Sequence, residues 1–172
     1  MSNYSKLIIF ILVLAVISVT VLYIDSSMDN INKSMPEISD GIVQGDKDYN
    51  EAVDLVNDKD FYDGMDKAVS AEKNYNKSLR GLSEIKNNFT VDIDDVHKEY
   101  VNLAYLEVEL KLQAVSKLKD AIECFKVEEN TTGTNYASQA NDCMYQAQQY
   151  QNQRDDMVAD NPNLFKDNFM FN

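Results

Sequence analysis

The run from Leu7 to Ile24, LIIFILVLAVISVTVLYI, is the strongest single constraint on how this chain can fold. Its 18 residues include no charge, no Gly and no Pro. At 1.5 Å per residue a helix of this length covers roughly 27 Å, close to the hydrocarbon thickness of a bilayer. A core helix of the same length is expected to show a polar face, and this run shows none. Ser18 and Thr20 are its strongly polar side chains, and each can bond back to the preceding helical turn. Tyr4 and Tyr23 stand near the ends, where amphipathic rings favour the interface. The sequence thus predicts a membrane anchor, with the membrane as a partner through Leu7 to Ile24. The run is longer than a secretory signal core, and its exit, Val21-Leu22-Tyr23-Ile24-Asp25, is not a small-residue cleavage site. The anchor is therefore expected to stay uncleaved.

Flanking charge gives the expected direction. Lys6 and the free amine precede the run, whereas Lys33 is the base that follows it closely. That asymmetry predicts a single-pass protein with a cytoplasmic N-terminus and an extracytoplasmic C-terminal domain. Two features lean the same way. Asn-x-Ser/Thr sequons at Asn32, Asn76, Asn88 and Asn130 are candidate glycosylation sites, with helix capping as the alternative use of those residues. Cys124 and Cys143 fall on consecutive antiparallel helices. With the intervening loop centred near Gly133 they stand about level, which permits a disulfide. The alternative is two buried thiols used as small apolar side chains.

The formal net charge is -13, and all 29 acidic residues follow Ile24. A strongly acidic chain lacks the basic patch that displaces counterions from a polyanion, so nucleic acid is excluded as a partner. The balance suits solubility, cation attraction or a basic partner.

Beyond the anchor the sequence reads as helices. There are two Pro, Pro36 and Pro162, and five Gly, and no stretch alternates as a half-buried strand would. The expected organisation is an N-terminal flank and anchor over 1–24, a linker over 25–36, an acidic helical bundle over 37–160 and an apolar tail over 161–172. In the bundle, Ile38, Ile42, Tyr49, Val53 and Val56 follow helical spacing. The apolar phase slips at Asn57-Asp58-Lys59-Asp60, so a second helix is expected from Phe61 through Met65, Ala68, Tyr75, Leu79, Leu82 and Ile85. A third begins at Thr90 or Asp92, with Val96, Tyr100, Leu103, Leu106, Leu110, Ala114, Leu118, Ala121, Ile122 and Phe125 on its apolar face. Glu128 to Asn135 reads as a loop, and a fourth helix runs from Tyr136 to the stop at Asn161-Pro162. Short junctions imply antiparallel neighbours. The predicted fold class is all-α: a transmembrane helix followed by an antiparallel up-down bundle of three or four helices.

Asp60-Phe61-x-x-Gly64, with Ala68 and Ala71, resembles the turn and second helix of a tetratricopeptide repeat. The preceding helix lacks that family's pattern and no second copy stands at the family's period, so no property of the family is carried over.

No constellation for catalysis emerges. His97 is the single His, in Asp92-Ile93-Asp94-Asp95-Val96-His97; the adjacent acids point about 100° apart on a helix, and acids at a helix start are explained by its dipole. Aligning Gly45 or Gly64 with a calcium loop puts Ile42 or Phe61 where oxygen ligands are needed. Neither Cys has a base beside it. No catalytic, cofactor or metal residues are therefore assigned, and the chain is expected not to be an enzyme. The tail carries Phe165 and Phe169 one helical turn apart, either folded back on the bundle or docking a partner. The expected function is a membrane-anchored extracytoplasmic interaction domain for a protein, envelope component or cation. The alternative is an accessory or ligand-sensing subunit of a membrane complex.

Overall fold

The computed structural model describes residues 29–91 and 93–165, with side chains from residue 34. Within them the chain forms four helices, α1 (Asp29–Asn57), α2 (Phe61–Asn87), α3 (Asp95–Lys126) and α4 (Asn130–Asp160). The architecture is an all-α four-helix bundle.

Among the described residues no helix is long and apolar enough to cross a membrane. The run from Leu7 to Ile24, on which the anchor rested, lies outside those residues. The fold class is therefore stated as the bundle alone. The single-pass topology, the extracytoplasmic placement and the membrane partner, together with the membrane-anchored function built on them, are not retained.

Each helix carries a seam whose residues alternate intervals of three and four. In α2 the buried seam is Gly64, Ala68, Ala71, Tyr75, Ser78, Leu82 and Ile85. In α3 it includes Val101, Ala104, Val108, Lys111, Val115, Leu118, Ile122 and Phe125. In α4 it is Gly133, Ala137, Ala140, Met144 and Ala147. Such a seam keeps one face toward an antiparallel neighbour at a shallow crossing angle. The small residues set the spacing. A Cβ on Gly133 would lie 2.5 Å from the Phe125 ring, and one on Gly45 would lie 2.5 Å from the Tyr75 ring. α1 against α2 and α3 against α4 are thus close-packed pairs, and α2 lies against α3. α1 touches α3 lightly, and α1 and α4 make no close backbone approach. α3 is the central helix.

Both hairpins turn by the same device. Lys59 and Glu128 are the described non-glycine residues at positive φ, 65° and 63°. After α1, the Asp60 N–H donates to Leu55 O at 2.8 Å and the Lys59 N–H to Val56 O at 3.1 Å. After α3, the Glu129 N–H donates to Cys124 O at 2.9 Å and the Glu128 N–H to Phe125 O at 3.2 Å. These are the paired bonds of a left-handed helix stop. Asp60 then caps α2 through Asp63 N–H, and Asp94 caps α3 through Val96 N–H at 2.8 Å.

The second turn lies upstream of the expected loop at Glu128 to Asn135, because Asn130 to Gly133 are already helical and Gly133 is the first seam residue of α4. α1 likewise begins before Pro36, and Met35 is already buried. The region from Glu37 to Asn87 is two helices, broken where the apolar phase slips.

The two hairpins repeat one another at one constant interval. Ala52, Val53, Val56, Lys59, Gly64, Ala68 and Ala71 correspond to Ala121, Ile122, Phe125, Glu128, Gly133, Ala137 and Ala140. The Gly-Ala-Ala pattern that resembles a tetratricopeptide turn therefore does recur, at an interval of two whole helices. The copies differ on the outside. Where α2 packs Phe61, Met65 and Leu79 against the core, α4 carries Asn130, Thr134 and Gln148. α4 is thus a polar outer helix, the usual way to end a stack of helical units.

Candidate functional site

Charged side chains from α1, α3 and α4 are linked through α3, the central helix. Glu107 is 1% exposed and Lys111 4%. Both belong to α3, one turn apart, and Lys111 Nζ lies 2.9 Å from Glu107 Oε1. That contact is an ion pair whose angle falls outside hydrogen-bond geometry, leaving Oε1 without a hydrogen-bond donor. Lys111 also donates to Asp46 of α1 at 2.8 Å, and Asp46 accepts from the Tyr75 hydroxyl of α2 at 2.6 Å. On the other side Arg154 of α4 donates through Nη2 to Glu107 Oε2 and through Nη1 to the Tyr100 hydroxyl at 3.0 Å. Two carboxylates and two cations thus balance.

The electrostatics follow from this enclosure. Burial pushes the Glu107 carboxyl up, and Lys111 and Arg154 together outweigh it, so it sits below the usual range. Burial opposes the Lys111 charge, and Glu107 and Asp46 outweigh it in turn, holding its ammonium above the usual range. Arg154 is shifted the same way, chiefly by Glu107 against burial. The Tyr75 phenol is pushed well up by burial and by the Asp46 charge. Glu107, Lys111 and Arg154 are thus held in their charged forms near pH 7, and Tyr75 in its neutral form. These four groups hold their protonation there rather than exchange protons.

A second polar node lies beside it. Asp48 of α1, 4% exposed, accepts from Ser70 at 2.7 Å and Asn74 at 2.9 Å on α2, and from Gln44 on its own helix at 2.9 Å. Ser78 donates to Ile38 O at 2.8 Å across the same seam.

The residues singled out by sequence lie elsewhere. Cys124 and Cys143 are free thiols. With the turn centred at Glu128 instead of Gly133, Cys124 is four residues before it and Cys143 fifteen after it, so they differ in level by roughly 16 Å along the helices. That separation is far beyond disulfide reach. His97 is buried at the start of α3, its Nε2 3.2 Å from Leu164 O and its ring edge-on to Phe165 at 5.1 Å. Phe165 is 5% exposed and also meets Tyr100, so it folds back onto the bundle, while Phe169 lies outside the described residues. Among the sequons, Asn76 sits within α2 with its Ser78 fully buried. Asn88 is exposed at the C-cap of α2 and Asn130 is exposed at the first turn of α4. Asn32 is within α1, and its side chain lies outside the described residues. Among the described residues no group of three His, Cys, Asp or Glu is placed to hold a metal ion.

The expected apolar face of α3 holds at Tyr100, Leu103, Ala114, Leu118, Ala121, Ile122 and Phe125, but it slips in the middle, where Glu107 and Lys111 are buried instead of the expected Leu106 and Leu110. Leu106, expected inside, is 38% exposed, and Leu110 is half-buried. Following the three-four spacing back from Phe125 through Ile122, Leu118 and Val115 lands on Lys111, which is the signal that could have found it. Nothing among known families, curated relatives or solved structures matches the chain.

Proposed function

We propose that this protein is a non-catalytic docking module that binds a basic, amphipathic segment of a partner protein at the end of the bundle where both hairpins turn. The observation that carries this reading is the exposure of two large apolar side chains at that end, Tyr62 at 77% and Val127 at 65%. They belong to neighbouring elements at one end, since Phe61 stacks on Phe125 at 6.0 Å and Lys126 lies 5.1 Å over the Tyr62 ring. Asp58, Asp60, Asp63, Glu128 and Glu129 stand exposed around this pair. An apolar pair held out on rigid helix ends costs little to order on binding, and an aromatic is a favoured anchor. The acidic rim speeds encounter with a cationic partner and repels an anionic one. The interior ionic groups support the same reading, because each is committed to another side chain and none is free to act on a substrate.

The test is titration of the isotope-labelled protein with a helical Leu/Lys peptide. Shifts centred on Tyr62 and Val127, with binding weakened at least tenfold in a Tyr62→Ala/Val127→Ser variant, support the reading. Shifts spread evenly over the acidic surface, or binding unchanged in that variant, refute it, because plain charge attraction would then account for everything.

A further inference from the structure

The repeat places the ionic cluster in a sharp light. Glu107, Lys111 and Arg154 of the second hairpin occupy the positions that Ile38, Ile42 and Ile85 hold in the first. Asp46 and Tyr75, which serve the cluster from the first hairpin, correspond to Val115 and Met144 in the second. Charges thus stand in one hairpin where aliphatic residues stand in the other: Glu107 and Lys111 are buried where Ile38 is buried and Ile42 half-buried, and Asp46, its side chain 24% exposed, stands where Val115 is buried. A well-packed apolar set is as stabilising as a buried ion pair, or more so, so stability alone does not explain the charged choice. Buried polar groups are best attested where one pairing must be chosen over another.

We infer that Asp46 and Lys111 are specificity-determining residues for hairpin pairing: they make α1–α2 accept α3–α4 and reject a second copy of either hairpin. The seams of the two hairpins are alike enough to compete. Each repeats the Ala52/Ala121, Ala68/Ala137 and Ala71/Ala140 positions and the same left-handed turn. If an α3–α4 hairpin stacked on the α4 of another copy, as α3 stacks on α2, Lys111 would face Val115 and Met144. Its buried ammonium would then have no Asp46 partner. If the α1–α2 hairpin of another copy took the place of α3–α4, Asp46 would face Ile42 and lose its cation. Only the pairing within the chain, or an equivalent exchange of whole hairpins between copies, joins Lys111 to Asp46 at 2.8 Å. Because the cluster is neutral when complete, correct pairing leaves no net buried charge. Exchange of whole hairpins between copies would cross the connection between α2 and α3.

The experiment uses two full-length chains, Asp46→Lys and Lys111→Asp. Each alone sets like charges against each other at the same contact. Mixed, unfolded and refolded together, they can restore both contacts by exchanging hairpins, since each chain carries the complement of the other. The expected result is a 1:1 heterodimer in native mass spectrometry, at least tenfold more abundant than any dimer of either chain alone. Refolding that yields only the sum of the separate chains overturns the inference. So does either single variant refolding as readily and as cleanly as the parent chain. Should both singles fail to refold alone, recovery of folded protein on mixing is still the expected outcome, and failure on mixing counts against it. As a second arm, Asp46→Asn/Glu107→Leu/Lys111→Met/Arg154→Met removes the charges at near-constant volume. It should fold with an undiminished urea midpoint while forming mixed species that the parent does not. A parent-like species distribution in this variant also overturns the inference.

Discussion

Lys111 and Asp46 are 65 residues apart in the chain and meet at 2.8 Å, with Lys111 buried and the Asp46 side chain 24% exposed. The contact is the charged link between the two hairpins within the cluster, since Glu107 and Arg154 both belong to the second hairpin. Removing Lys111 leaves Glu107 buried with one cation fewer and Asp46 without its ammonium. Lys111→Met should therefore cost about 3–5 kcal/mol, well above the cost of a simple side-chain truncation. Urea unfolding followed by circular dichroism measures it, and a loss below about 1 kcal/mol would show that the pair is not desolvated as described.

The cluster also sets a pH window. The folded Glu107 carboxyl lies below its ordinary value, so its contribution is fully present above the unfolded value of about 4.3 and is lost as pH falls through the folded one. The folded Lys111 ammonium lies above its ordinary value, so its contribution is fully present below about 10.4 and fades as pH rises through the folded value. Stability should therefore be flat from about pH 5 to 10 as far as this cluster is concerned, with a loss at each end. In the charge-free variant both losses should shrink, as read from urea midpoints across the pH range.

Lys59 and Glu128 hold positive φ without being glycine. A side chain in that region costs about 1–2 kcal/mol, which glycine avoids at the price of a freer unfolded chain. Lys59→Gly and Glu128→Gly should each raise stability by about 0.5–1 kcal/mol, visible as a higher melting temperature. A fall in either variant would mean that the side chain makes a contact worth more than the strain.

Gly45 faces the Tyr75 ring so closely that an added Cβ would lie 2.5 Å from it. Tyr75 is itself pinned by its bond to Asp46. Gly45→Ala should cost about 1–3 kcal/mol by forcing α1 and α2 apart, although alanine is the better helix former. A neutral result in thermal unfolding would show that the ring can move.

Phe165 packs on His97 and on Tyr100, whose hydroxyl accepts from Arg154. Phe165→Ala should cost about 3 kcal/mol and speed amide exchange in the first turns of α3. Unchanged exchange there would mean that the tail contact is incidental.

Much of the helical architecture was legible in the sequence. The scarcity of Gly and Pro, the phase slip between Val56 and Phe61 and the stop at Asn161-Pro162 are local signals, and they mark elements that the structure contains. The second turn was misplaced because Gly133 reads locally as a loop residue. Its actual role, to let α4 approach the Phe125 ring, depends on another helix. The Cys124–Cys143 pairing rested on that misplaced turn and does not survive it. The turn-end pair Tyr62 and Val127 was invisible for the same kind of reason, since an apolar residue carries no mark of whether a neighbour will cover it.

By itself the sequence determined which stretches are helical and that they fold back on one another, because helix spacing and chain breaks are properties of neighbouring residues. The tertiary structure decided that the middle of α3 turns Glu107 and Lys111 inward rather than Leu106 and Leu110. A helix with apolar residues on several sides can be turned either way until its partners are in place. Here the deciding partners are Asp46 of α1 and Arg154 of α4, whose charges make burial of that face tolerable.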